Sequence, residues 1–207
     1  KDGGQKGVQR PVLSPGTLAP IHPVAFLVIT KPQVYVVTVS KELRDAARLS
    51  FTSFGLTDHT LDVTRIEPKA TEGGHVQDMI GVITTLEGDP LPSGDIASRL
   101  GGFKDIEDAE NEEKKFNDAQ LIEKILASQN GKHNNYQDFQ KFLDGGGKGG
   151  LQHDPLLYGA YNLNPFLVRV EHVPMLVVEQ GQVAVVKAYV GLPTEDTSGA
   201  EFKFGSL

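Results

Sequence analysis

The residues in this chain whose types could support chemistry are a glycine run, six histidines and a belt of carboxylates. Gly145-Gly146-Gly147-Lys148-Gly149-Gly150 satisfies G-x-G-x-x-G. A dinucleotide fingerprint needs a strand before it and a helix directly after, so that the helix N-terminus meets the pyrophosphate. Here a predicted helix precedes the run and Pro155 follows it, which makes it a connector. Lys148 is followed by Gly149 rather than Ser or Thr, so it is not a P-loop. His22, His59, His75, His133, His153 and His172 show no metal-ligand spacing on a helix and no H-E-x-x-H pattern, so surface and turn positions are expected for them. Neither a Gly-x-Ser-x-Gly elbow nor a Ser-x-x-Lys pair occurs. The densest carboxylates, Glu107 to Glu113, lack the D-x-[DN]-x-[DN]-G order of a calcium loop and read as a solvated helix face. With no cysteine, disulfides, thiolate metal sites and thiol nucleophiles are excluded together. No catalytic, cofactor-binding or metal-binding residue is assigned, no cofactor is expected, and the chain reads as a non-enzyme.

Charge narrows the partners. A formal net charge of −7 on 207 residues repels phosphate backbones, so nucleic acid is not expected to bind. No apolar run approaches a bilayer span, and Lys1-Asp2-Gly3-Gly4 does not open a signal peptide.

The elements that would position these residues are short strands and turns, as 23 glycines and 12 prolines suggest. Strands are predicted near 24–30, 33–39, 60–67, 75–86, 166–171, 174–180 and 182–190. Val183–Val190 is apolar almost throughout and reads as a strand buried on both faces. Val168-Arg169-Val170-Glu171 alternates and should keep one wet face. Gly181 is placed to turn a hairpin. Ser40 should cap a brief helix over Lys41–Leu49. Phe116, Ala119, Ile122 and Leu126 fall on one helical face, Asn130-Gly131 is a helix stop, and a second helix gathers Tyr136, Phe139, Phe142 and Leu143.

An internal echo is also visible. Asp2–Gly16 and Asp144–Gly159 share a Gly-rich start around Lys6 and Lys148 and end on Gly16 and Gly159. Each leads to an x-Pro step, His22-Pro23 or Asn164-Pro165, and then to a Gln-Val-x-Val-Val stretch, at 33–37 or 182–186. Duplication of a β unit is the expectation, with the two glycines turning in like surroundings.

Gly159-Ala160-Tyr161-Asn162-Leu163-Asn164-Pro165-Phe166 resembles the opening of the stomatin/prohibitin/flotillin family, the SPFH or Band 7 proteins, in its bacterial flotillin-like branch. Val170–Met175 and Val177–Val186 look like that family's first strands. The match is good over 144–191 and weaker over 2–39, where His22 replaces the family Asn. The resemblance implies an α+β fold: a degenerate first SPFH-like β unit over 1–94, a helical connector over 95–143, and the start of a second unit over 144–207 that continues beyond this chain. It also implies a non-enzymatic, membrane-associated scaffold that organises membrane microdomains or regulates membrane protein complexes by oligomerising. Its partners would be itself and membrane proteins or a lipid surface, with no small-molecule substrate, and its anchor would lie outside these residues. A soluble or exported ligand-binding module is the alternative, with Tyr158, Tyr161 and Phe166 lining a pocket. A hydrolase would require a perturbed carboxylate or histidine pair in a cleft.

Overall fold

The structure, a computed structural model, describes residues 6–103, 126–187 and 189. It contains both helices and short antiparallel strands, an α+β arrangement in which strands predominate among the described residues. The strands are β1 (Val28–Ile29), β2 (Val34–Tyr35), β3 (Thr64–Ile66), β4 (Lys69–Ala70), β5 (Val76–Gln77), β6 (Met79–Thr85), β7 (Gly150–Leu151), β8 (Gly159–Tyr161) and β9 (Val168–Pro174). Among the described residues the helices are α1 (Lys41–Ala46) and α2 (Phe139–Asp144), with 3-10 turns at Phe51–Phe54 and Asn130–His133.

The organising element is β6. It alternates inward and outward along its seven residues, as a strand with one face on a core must. On one side it pairs with all of β9, from Met79 opposite Pro174 to Thr85 opposite Val168. On the other side it pairs with β7 at Thr84 and Thr85. That side continues through Gln152 N–H to Ile83 O at 2.9 Å and a reciprocal Gly81–Leu156 pair at 2.8 Å. Both hydrogen-bonding edges of β6 are therefore satisfied, which suits a strand buried among Ile83, Leu156 and Val168.

A second ladder, β3 with β8, packs over the first. The layers approach closely at Gly81, where a Cβ would lie 2.8 Å from Ile66 Cδ1, 3.0 Å from Val170 Cγ1 and 3.2 Å from Leu156 Cβ. Residues 64–85 and 148–174 thus build one core between them. α2 closes it. Asp138 caps the helix by accepting the Lys141 N–H, and Phe139 and Phe142 are buried on it as the helical spacing anticipates, whereas Tyr136, expected on the same helix, is buried in a left-handed turn before it. The Phe142 ring lies against Gly147, where any side chain would strike it. Ser40 caps α1 through Leu43 N–H at 3.2 Å, but that helix ends at Ala46 rather than Leu49.

Several expectations are corrected. The stretch 182–187 forms no ladder, and Val183, Val185 and Val186 are exposed rather than buried on both faces. Of 174–180 only Pro174 lies in a strand. The 24–30 and 33–39 strands shrink to the short hairpin β1–β2, and Val24, Phe26, Val37 and Val39 on its flanks are exposed. Asn130-Gly131 opens a 3-10 turn instead of ending a helix. Gly16 sits at φ +77° in an exposed turn with nothing near its missing Cβ, whereas Gly159 lies in β8 opposite Ile66, hard against the Tyr161 ring. The two glycines do not occupy equivalent turns, and duplication is not visible in the backbone path. The helical face Phe116–Ile122 and the carboxylates Glu107–Glu113 lie outside the described residues.

Replacing Gly81 by Ala is expected to destabilise the chain by about 1–3 kcal/mol through overpacking. Gly131→Ala, whose Cβ would meet nothing within 4 Å, should leave stability nearly unchanged. Urea denaturation of both variants checks this, and equal midpoints would contradict the packing described.

Candidate functional site

The polar groups that converge in this fold do so below the surface. Arg99 and Asp154 form an ion pair at 3.1 Å, with side chains 0% and 3% exposed. The guanidinium also donates to Gly102 O at 2.7 Å and Ser128 Oγ at 2.5 Å and lies over the Phe103 ring. Asp154 Oδ2 accepts the Gln129 N–H at 3.1 Å, and its Oδ1 faces His153 Nδ1 at 3.0 Å. Tyr136 donates its hydroxyl to Asp154 O, and Asn130 Nδ2 donates to Pro155 O. One buried pair thus ties together the loops around 99–103, 128–130 and 153–155.

The segment feeding this hub is strained. Asn134, Asn135 and Tyr136 stand consecutively at φ of 48°, 54° and 61°. Asn tolerates that region, but a tyrosine there costs free energy that its surroundings must offset. They do so through the buried Tyr136 ring, its hydroxyl bond, and its N–H, which donates to His133 Nδ1 at 2.8 Å. Because Nδ1 accepts, the neutral His133 ring carries its proton on Nε2.

Electrostatics follow from burial. His133 is fully enclosed against Tyr136 and Phe142, and desolvation lowers its pKa to about 4. Burial pushes the Asp154 carboxyl up, but His153, Arg99 and the Gln129 N–H together outweigh it and hold the group below the usual carboxylate range. Burial, then the Asp154 charge, pushes the Tyr136 phenol well above its ordinary value.

A second knot fixes the glycine run. Gln152 Nε2 donates to Thr85 Oγ1, Lys148 O and Gly150 O at 2.8–3.0 Å, while Gln152 Oε1 accepts from Ser98 Oγ. Thr85 Oγ1 donates to Lys148 O. Two carbonyls of the run, those of Lys148 and Gly150, are thus turned inward onto side chains.

The histidines do not gather into one site. His153 faces Asp154, whereas His133 departs from the surface position expected of it because its imidazole caps the turn at Tyr136. His22 caps its own turn by accepting N–H bonds from Val24 and Ala25. His59 and His75 are exposed, and His172 Nε2 lies 3.0 Å from Arg65 O. Among the described residues no three His, Asp or Glu side chains converge as metal ligands. His153 Nδ1 pairs with Asp154, yet among the described residues no Ser or Thr hydroxyl meets its other nitrogen. Tyr158 is exposed, and Tyr161 is buried with its hydroxyl on Leu157 O. Neither they nor Phe166 line a cavity of about 340 Å³ that opens among the described residues at Glu87, Gly88, Asp89, Leu143 and Gly147.

What the surface does offer is apolar. Beyond β9 the chain leaves the sheet at Met175, whose N–H still donates to Asp78 O. It turns at Gly181, at φ +85°, with Gln182 N–H on Glu179 O, but neither flank is a strand and the expected hairpin does not form. On this arm Leu176, Val183 and Val185 are 80%, 93% and 95% exposed. Sequence reasoning missed the hub because Arg99, Gln129 and Asp154 carry no common spacing. No family model, curated protein or solved structure matches the chain.

Removing one partner of the hub should leave an uncompensated buried charge. Asp154→Ala is expected to cost about 3–5 kcal/mol in urea denaturation, and a loss within experimental error would contradict the pairing. The folded pKa of His133 lies below the ordinary 6.5, so the unfolded chain binds more protons between these values. The stabilisation is complete above pH 6.5 and is lost as pH falls toward 4, by about 3 kcal/mol. Denaturation midpoints across that window, with the His133 proton followed by NMR, check the sign.

Proposed function

We propose that this chain is part of a non-enzymatic scaffold of the SPFH/Band 7 type, membrane-associated through an anchor outside these residues and working by self-association. The observation that carries the reading is the apolar arm after β9. Surface of that kind lies open only at a cost unless a second layer covers it. Covering it against a neighbour is what an assembling module does.

The motif residues behind the resemblance support the same reading, because each is used for architecture. A Cβ at Gly159 would come within 2.7 Å of the Tyr161 hydroxyl. Asn164 accepts the Phe166 N–H at 3.0 Å and donates to Gln9 O and Arg10 O at 2.9 and 3.1 Å. It thereby binds the N-terminal strap, whose Arg10 side chain reaches Glu87 and Gln140. Residues that hold a chain path in this way build a platform.

The full-length protein is expected to sediment with membranes and to run as a large assembly in mild detergent. A full-length protein that stays soluble and monomeric overturns the reading.

A further inference from the structure

β9 has an open edge whose chemistry is unusually specific. Leu86 N–H donates to Leu167 O and Met175 N–H to Asp78 O, each at 2.8 Å, which sets the phase of the ladder. Backbone groups of Arg169, Glu171 and Val173 therefore face β6, while those of Val168, Val170, His172 and Pro174 face away. Val168 N–H already donates to Asn164 O at 2.9 Å, and Pro174 has no N–H. The open donors are thus Val170 and His172, and no described residue pairs with them. Arg169 and Glu171 stand on the exposed face of the same strand.

We propose that this edge pairs with the same edge of a second copy of the chain, antiparallel about a two-fold axis at Val170. The proposal rests on the self-association reading above and gives it a surface. Outward backbone groups meet only when even-numbered positions face even-numbered positions. Shifting the axis to Arg169 sets Arg169 against itself, and shifting it to Glu171 sets Glu171 against itself. Like charges directly opposite each other are destabilising. With the axis at Val170, Arg169 of each copy lies opposite Glu171 of the other. These are non-hydrogen-bonded positions, where side chains across a ladder come closest. Val170 exchanges backbone bonds with its own counterpart, and His172 N–H donates to Val168 O of the second copy. Edge charges usually block pairing. Here their alternating sign disfavours the two neighbouring registers and favours the one at Val170.

A strand pair alone buries less than a standard interface, so mass is read by sedimentation from about 10 µM to about 1 mM chain. The wild-type chain is expected to shift from monomer to dimer across that range. R169E and E171R should each weaken the dimer at least about tenfold, since each places like charges opposite one another. Mixing the two variants in equal amounts should restore dimerisation, because every acidic position in one copy then faces a basic position in the other. The chain has no cysteine, so R169C mixed with E171C should form an inter-chain disulfide far faster than either alone. This second measurement does not depend on charge reversal. A wild-type chain that stays monomeric, charge reversals without effect, or mixtures no better than their components overturns the pairing. The two readings fail separately. Loss of the dimer says nothing against membrane sedimentation of the full-length protein, and loss of sedimentation says nothing against the dimer.

Discussion

Two charges taken out of water hold this fold to one arrangement. Arg99 and Asp154 are enclosed at 3.1 Å, and neither could stay there alone, because an unpaired ion in such surroundings costs several kcal/mol. The pair need not add net stability over an apolar substitute. It demands partners, and those partners come from three loops distant in sequence. Gln129 must offer its N–H, Gly102 its carbonyl and Ser128 its hydroxyl, so the chain on both sides of 104–125 is placed by the same carboxylate and guanidinium. The left-handed run at Asn134–Tyr136 is acceptable only because the hub and the Phe142 cluster receive its end.

From that anchor the sheet acquires its asymmetry. β7 and the strand-like 152–156 segment are fastened to the hub and saturate one side of β6, while β9 saturates the other. The open edge is thereby displaced to the outside of β9. Its length is bounded by two residues of different character: Asn164, whose carbonyl takes the first N–H, and Pro174, which has none to give. A short, charged edge of this kind resists indiscriminate pairing while leaving one register open.

How much of this was legible in the sequence divides along physical lines. Local signals read correctly. Ser40 as a cap, the left-handed turn at Gly181 without its hairpin, the alternation at Val168–Glu171 and the Phe139–Phe142 spacing on α2 depend on neighbours a few positions away. The hub was not legible, because its members lie up to 55 residues apart and are joined only after the loops meet. His133 illustrates the difficulty. Its neighbours are polar, so a loop position was the natural expectation, yet the fold spends its Nδ1 on a backbone N–H and its ring on Phe142. Val183–Val186 failed for the opposite reason. Composition measures what a segment would gain by burial, and it is silent on whether a covering layer is at hand.

That last failure bears on how the open edge and the apolar arm relate. Both begin where β9 ends, and Met175 joins them by keeping one bond to Asp78 while its side chain turns outward. Backbone pairing at Val170 supplies direction and register, since hydrogen bonds and opposed charges act only at defined positions. Apolar surface supplies driving force without direction. Separately, each is weak as a basis for assembly: a strand pair is small, and an apolar arm alone would bind anything oily. Set side by side on one continuous stretch of chain, the edge can choose the partner and the arm can hold it.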